Sequence, residues 1–112
     1  MIRNISRNTV LADRHRIAGS VFSKALGLMF RTCPHPVVFS FSREKINSLH
    51  MLFVFFPIDV LFLGKDRKVV EKKQNLLPFR FYTPRKKSMY VVELPAGTIS
   101  SSRTDVGDSL EF

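Results

Sequence analysis

The chain contains no tryptophan and a single cysteine, and only nine acidic residues stand against eighteen lysines and arginines. With Cys33 alone, an intramolecular disulfide and a multi-cysteine zinc site are excluded. A buried or half-buried thiol accounts for Cys33, because a nucleophile needs a base and an electropositive setting that sequence does not display. GxGxxG, Walker and GxSxG signatures are missing, so dinucleotide, P-loop and α/β-hydrolase chemistries have no support. The three histidines, His15, His35 and His50, show no HExxH or HxH spacing and no cysteine partner. Neither a metal nor a cofactor is therefore expected. The sequence does not open on the apolar stretch of a secretory signal, and a cytoplasmic monomer is the expectation.

What the chain does have is an apolar run, LHMLFVFFPIDVLFL at 49–63, interrupted by His50, Pro57 and Asp59. A membrane-spanning helix needs about 20 apolar residues and tolerates a buried Asp poorly, so no membrane span is expected. Pro57 divides the run and biases Phe56 towards extended backbone. β-Branched and aromatic residues on both sides favour strands at 51–55 and 58–63. In the second, Ile58, Val60 and Phe62 share one face, and Asp59, Leu61 and Leu63 the other. Both faces are largely apolar, which predicts a central strand covered on both sides.

The length of 112 residues suits one domain, 1–112, and eleven phenylalanines can furnish its core. Ser20 as N-cap and the spacing of Phe22, Ala25, Leu26 and Met29 predict the principal helix over 20–29. Two close prolines make 32–36 a turn. Strands are predicted over 8–12, 37–41, 68–77, 88–94 and 108–112, with a hairpin loop at 64–67 and a short helical turn within 98–104. The expected fold class is α+β: mostly antiparallel β-sheet, barrel-like, with one principal helix.

The segments GLMFR at 27–31, HMLFVFFPIDVLFL at 50–63, VVELPAGT at 91–98 and VGDSLEF at 106–112 occur in order at sensible separations. Together they resemble the uncharacterised DUF192 family, also called UPF0127, in an archaeal-type form. The resemblance implies a compact, mostly β domain with one principal helix and no established activity. Many bacterial members resemble a form with Trp-Met-Lys-Asn-Thr where this chain has His50 to Val54. A ligand site built on the Lys-Asn-Thr trio is therefore not implied. His50, Met51, Pro57, Asp59, Glu93 and Gly97 do match the pattern.

The residues allow three functional readings. The first is a binding module for an unknown small ligand, with a pocket near the central strand and His50, Met51, Asp59, Glu93 and Arg31 as candidate contacts. Each has a plainer role: Asp59 fixing the strand entry, Glu93 pairing with Arg31 or a lysine, Arg31 complementing a helix C-terminus, Met51 filling the core, His50 half-buried or satisfied by hydrogen bonds. The second reading is nucleic-acid binding. Residues 64–90 carry nine lysines and arginines against Asp66 and Glu71, a balance of +7 within a chain total of +9. Lys72, Lys73, Arg80, Arg85, Lys86 and Lys87 interleave there with Phe79, Phe81 and Tyr82, and cations between aromatics suit single strands. The strand-like spacing of Phe79 and Phe81 instead puts both rings on one side, facing the core. Weak, sequence-independent contact with nucleic acid is expected in any case. The third reading is a hydrolase-type enzyme using Asp59 with Glu93 or His50.

Overall fold

A computed structural model describes residues 1–18, 35–50 and 55–112, apart from the side chains of Arg16, Ala18 and His50. The predicted helix over 20–29, Arg31, Cys33 and Met51 lie outside the described residues.

Ten strands and one short helix are described: β1 (Ile2–Asn4), β2 (Thr9–Ala12), β3 (Arg16–Ala18), β4 (Val37–Lys45), β5 (Leu49–His50), β6 (Ile58–Leu63), β7 (Val69–Leu76), β8 (Phe81–Tyr82), β9 (Ser88–Pro95), α1 (Thr98–Ser102) and β10 (Leu110–Glu111). A five-stranded sheet runs in the order β3-β4-β9-β6-β7, a three-stranded sheet in the order β10-β1-β2, and β5 pairs with β8. Pairing is antiparallel except between β3 and β4. The fold is thus α+β and dominated by antiparallel sheet. The sheets stay open among the described residues, so the barrel-like expectation becomes a stack of open sheets, with β3 and β7 outermost in the central one.

β6 shows why the central sheet forms here. All six of its residues are buried, as two apolar faces on one strand require. Its first face, Ile58, Val60 and Phe62, joins Val37, Phe39, Leu76 and Val91 in one cluster, with Leu49, Phe56 and Tyr82 packed against it. Its second face, Leu61 and Leu63, joins Val38, Val69, Val92 and Leu94. Ile2, Leu11 and Leu110 of the three-stranded sheet and Ile99 of α1 close over that second cluster. The β5–β8 ribbon therefore lies on one face of the central sheet, and the three-stranded sheet with α1 on the other.

The turn after β6 is the predicted hairpin loop. Gly64 N–H donates to Lys68 O at 3.0 Å and Arg67 N–H to Gly64 O at 2.9 Å. Strand β4 runs to Lys45, beyond the predicted end at Phe41, with its register shifting between Ser40 and Lys45. Such a bulge lets a polar stretch stay paired while its side chains turn to water. Among the described residues, no helix is long and apolar enough to cross a membrane.

Candidate functional site

Asp59 and Glu93 are both buried, but they do not converge. In the register of β6 with β9, Val60 lies opposite Glu93 and Asp59 opposite Leu94. Opposite residues share a face. Val60 belongs to the first cluster and Leu94 to the second. Glu93 therefore faces the β5–β8 side and Asp59 the α1 side. A shared acid–base pair of the kind a hydrolase uses cannot form across the sheet, which corrects the reading that joins them. His50 is in β5, and its side chain lies outside the description.

Asp59 has a complete structural account. Its Oδ1 accepts the Asn75 N–H at 2.9 Å, and its Oδ2 accepts the N–H groups of Gly97 at 3.1 Å and Ile99 at 2.9 Å. Gly97 is the N-cap residue of α1, and it brings no side-chain cap of its own. The carboxylate on β6 thus supplies the cap from another strand and offers negative charge to the unpaired N–H groups of the first turn. Gly97 holds φ at +94°, a left-handed conformation that glycine adopts freely. Thr98 Oγ1 donates back to Pro95 O at 2.7 Å. The LPAGT segment is a clamp that ends β9 and starts α1.

Asp108 is a second staple. It accepts from Asn4 Nδ2 at 3.0 Å, Asp105 N–H at 2.9 Å and Arg7 Nε at 3.2 Å. Burial would raise its carboxyl, but the hydrogen bonds from Asn4 and Asp105 and the Arg7 guanidinium outweigh it and hold it below the usual range. This joins the N-terminal strand to the C-terminal turn. Sequence inspection singled out neither Asn4 nor Arg7, because each partner is about a hundred residues away.

Glu93 has no such account. It is 7% exposed on β9, with Val37 of β4 and Val60 of β6 as its cross-strand neighbours. No described residue donates a hydrogen bond to it, and neither described ion pair includes it. The expected pairing with a lysine is not found among the described residues. Burial pushes its carboxyl up to about 8, so at neutral pH the protonated acid predominates. Among the described residues, no three His, Cys, Asp or Glu side chains stand together as metal ligands.

The basic segment is divided by β7. Lys72 lies opposite Leu61 and Lys73 opposite Val60, so the two lysines take opposite faces. On the Lys73 side, Glu71 organises the 84–87 turn. It accepts the Tyr82 hydroxyl, and its Oε1 accepts the N–H groups of Arg85 at 2.8 Å and Lys86 at 3.1 Å. Tyr82 packs on Phe62 with ring centroids 5.8 Å apart. Burial first and the Glu71 bond second push its phenol up to about 12. Tyr82 is thus half-buried and tied into the fold through its hydroxyl and the Phe62 ring. Phe79 and Phe81 go the other way. They are 52% and 78% exposed, against the expectation that they face the core. Phe79 holds φ at +60°, which breaks the strand spacing on which that expectation rested. Phe55, also exposed, meets Phe79 edge to face at 5.6 Å. Arg80, Arg85, Lys86 and Lys87 are exposed around them.

An open central sheet covered by a second sheet and a carboxylate-capped helical turn defines a small α+β domain whose sequence motifs are mostly staples. The chain belongs to the DUF192 family, described as "Uncharacterized ACR, COG1430", whose model matches residues 3–112. It is 37% identical to a UPF0127 protein of Pyrococcus furiosus over 111 residues, covering 97% of this chain and 95% of that one. It is also 37% identical to a UPF0127 protein of Pyrococcus horikoshii over 114 residues, covering 100% and 98%. Two crystal structures share the fold at a TM-score of 0.82 each. One is a protein of unknown function from Novosphingobium aromaticivorans, 25% identical, covering 88% of this chain and 74% of its own. The other, from Sinorhizobium meliloti, is described as a "putative transcription regulator", is 27% identical, and covers 87% and 79%.

Proposed function

We propose that the protein is a binding module whose ligand meets Glu93 on the first face of the central sheet. The observation that carries this is a buried carboxyl on an interior strand with no described partner. Burying such a group costs several kcal/mol unless something compensates. Asp59 and Asp108, the other buried acids, are fully compensated by hydrogen bonds. Glu93 alone among them is left with capacity to bind. Its apolar neighbours Val37, Val60 and Val91 suit a ligand with an apolar body and one strong polar group. An amine would meet the carboxylate, and a carbonyl would meet the protonated acid. Methyl-resolved NMR with matched alkylamines and alkylamides tests the reading. Shifts confined to Val37, Val60 and Val91, lost in Glu93→Gln, are expected. Shifts that persist in the variant, or no shift with any compound, refute it. On this reading the module is a cytoplasmic monomer.

A second reading draws on the exposure of Phe55, Phe79 and Phe81 beside Arg80, Arg85, Lys86 and Lys87. Exposed rings between cations suit single-stranded nucleic acid, and the Sinorhizobium neighbour is described as a regulator of transcription. Stacking would survive physiological salt, whereas phosphate contacts alone fall away through counterion release. Fluorescence anisotropy with a single-stranded RNA across a salt series separates the two. Binding that persists and drops in Phe81→Ala supports a nucleic-acid site. Binding lost near 0.15 M salt, where the Debye length is about 8 Å, leaves a solvated basic surface.

A further inference from the structure

We propose that the cleft between β7 and α1 is a binding site for an organic phosphate monoester. It lies on the α1 side of the sheet, away from Glu93, and has a volume of about 420 Å³. That falls in the range of about 300–1,000 Å³ typical of small-molecule sites, and it leaves room for an organic group beside one phosphate. Its polar lining includes Arg7, Lys72, Gln74, Ser100, Arg103 and Asp105.

Each cation is placed by the fold. Lys72 sits on a paired strand, on the face of Leu61. Arg7 is anchored from behind by Asp108, through Nε at 3.2 Å, which leaves its two terminal nitrogens without a described partner. Arg103 is the C-cap of α1, held at φ +56° with its N–H on the carbonyls of Ile99 and Ser100. No described residue pairs with its guanidinium. The Ser100 hydroxyl and the Gln74 amide likewise make no described hydrogen bond. The lining thus offers two arginine forks, one ammonium and two neutral donor groups. A phosphoryl group, with its terminal oxygens and charge of about −1.5 to −2 at neutral pH, matches such a set.

Asp105 stands at the exposed rim of the cleft, beside Lys72. Its Oδ1 lies 3.2 Å from Lys72 Nζ. The Val106 N–H, then Lys72, and more weakly Arg7 hold its carboxyl below the usual range. A ligand phosphate would have to displace this carboxylate from Lys72. Removing the Asp105 charge should therefore strengthen ligand binding, which is the opposite of what damage to the fold would do.

Isothermal titration at low ionic strength with adenosine 5′-monophosphate, ribose 5-phosphate, inorganic phosphate, adenosine and a 5′-dephosphorylated oligonucleotide tests this in the wild type, Asp105→Asn and Arg103→Asn. Asparagine tolerates the left-handed backbone at position 103 and keeps an acceptor at position 105. The monoesters are expected to bind more tightly than inorganic phosphate. Arg103→Asn should weaken them about tenfold through loss of a charge-assisted fork. Asp105→Asn should tighten them up to about fivefold, as loss of one exposed competing ion pair allows. Failure of both monoesters to bind the wild type overturns the proposal. So does a weaker or unchanged affinity in Asp105→Asn, which decides the matter alone if Arg103→Asn does not fold. Equal binding of adenosine and its monophosphate also overturns it, and a 5′-dephosphorylated oligonucleotide binding better than either monoester would replace it with a backbone-phosphate surface.

Discussion

Replacing Asp59 should cost this domain more stability than its single carboxylate suggests, because three backbone N–H groups from two separate segments share it. The Ile99 N–H is buried, whereas those of Asn75 and Gly97 are partly so. In Asp59→Ala the buried group loses about 2–3 kcal/mol and the other two about 0.5–1 kcal/mol each, as water reaches them, for a total of about 3–5 kcal/mol. Asp59→Asn is no conservative change. One side-chain atom must become an NH₂ group facing either the Asn75 N–H or the Gly97 and Ile99 pair. A donor then meets donors, so roughly half the loss, about 2 kcal/mol, remains. For a domain of this size each kcal/mol shifts Tm by about 4–8 °C, so Asp59→Ala should melt at least about 12 °C lower. Urea unfolding with matched calorimetry measures both variants. Asp59→Ala within about 1 kcal/mol of wild type would refute the capping argument.

Phe62 is fully buried in the first cluster, so Phe62→Ala should cost about 3–5 kcal/mol in urea unfolding; a loss below about 1 kcal/mol would contradict that placement. The Glu93 carboxyl, raised in the fold to about 8 from an ordinary 4.5, binds its proton more tightly in the native state than in the unfolded chain. Its contribution is therefore intact below about pH 4.5 and is lost as pH rises towards 8. Glu93→Gln should flatten that decline and be the more stable protein at pH 8; parallel pH–stability curves for the two would count against a strained, buried acid. One tyrosine should ionise near pH 12 in ultraviolet titration, and Glu71→Gln should bring it down. An unchanged titration would deny the Tyr82–Glu71 bond its role.

The central strand was legible because its evidence is local. Ile58, Val60 and Phe62 against Asp59, Leu61 and Leu63 is a period-two pattern that one strand displays by itself. The same holds for β9 and for the turn at Gly64. Short strands such as β1 and β3, three residues each, carry too few positions for any periodicity to show. β3 also pairs in parallel with β4, a relation that no hairpin signal announces. The Phe79 and Phe81 expectation failed for a related reason. Spacing of two implies one face only while the backbone stays extended, and the left-handed Phe79 breaks that condition.

The candidate site was harder to read, for a reason that bears on function. The alternation within β6 and within β9 was correct, yet it left open which face of one strand meets which face of the other. That choice is set by register, and a slip of one residue would reverse it. With Val60 opposite Glu93, the two acids are separated by the sheet itself. One consequence is that their duties part. Asp59 faces the helical turn, whose backbone donors absorb it fully. Glu93 faces Val37 and Val60, and no described residue donates a hydrogen bond to it. A sequence that keeps a carboxyl on an interior strand among apolar neighbours accepts a lasting penalty in the empty protein. Stability alone would favour glutamine or valine there, and the proposed ligand is what would offset the penalty. The pH curve of Glu93→Gln measures the size of that penalty without any ligand, and the NMR titration asks separately what relieves it.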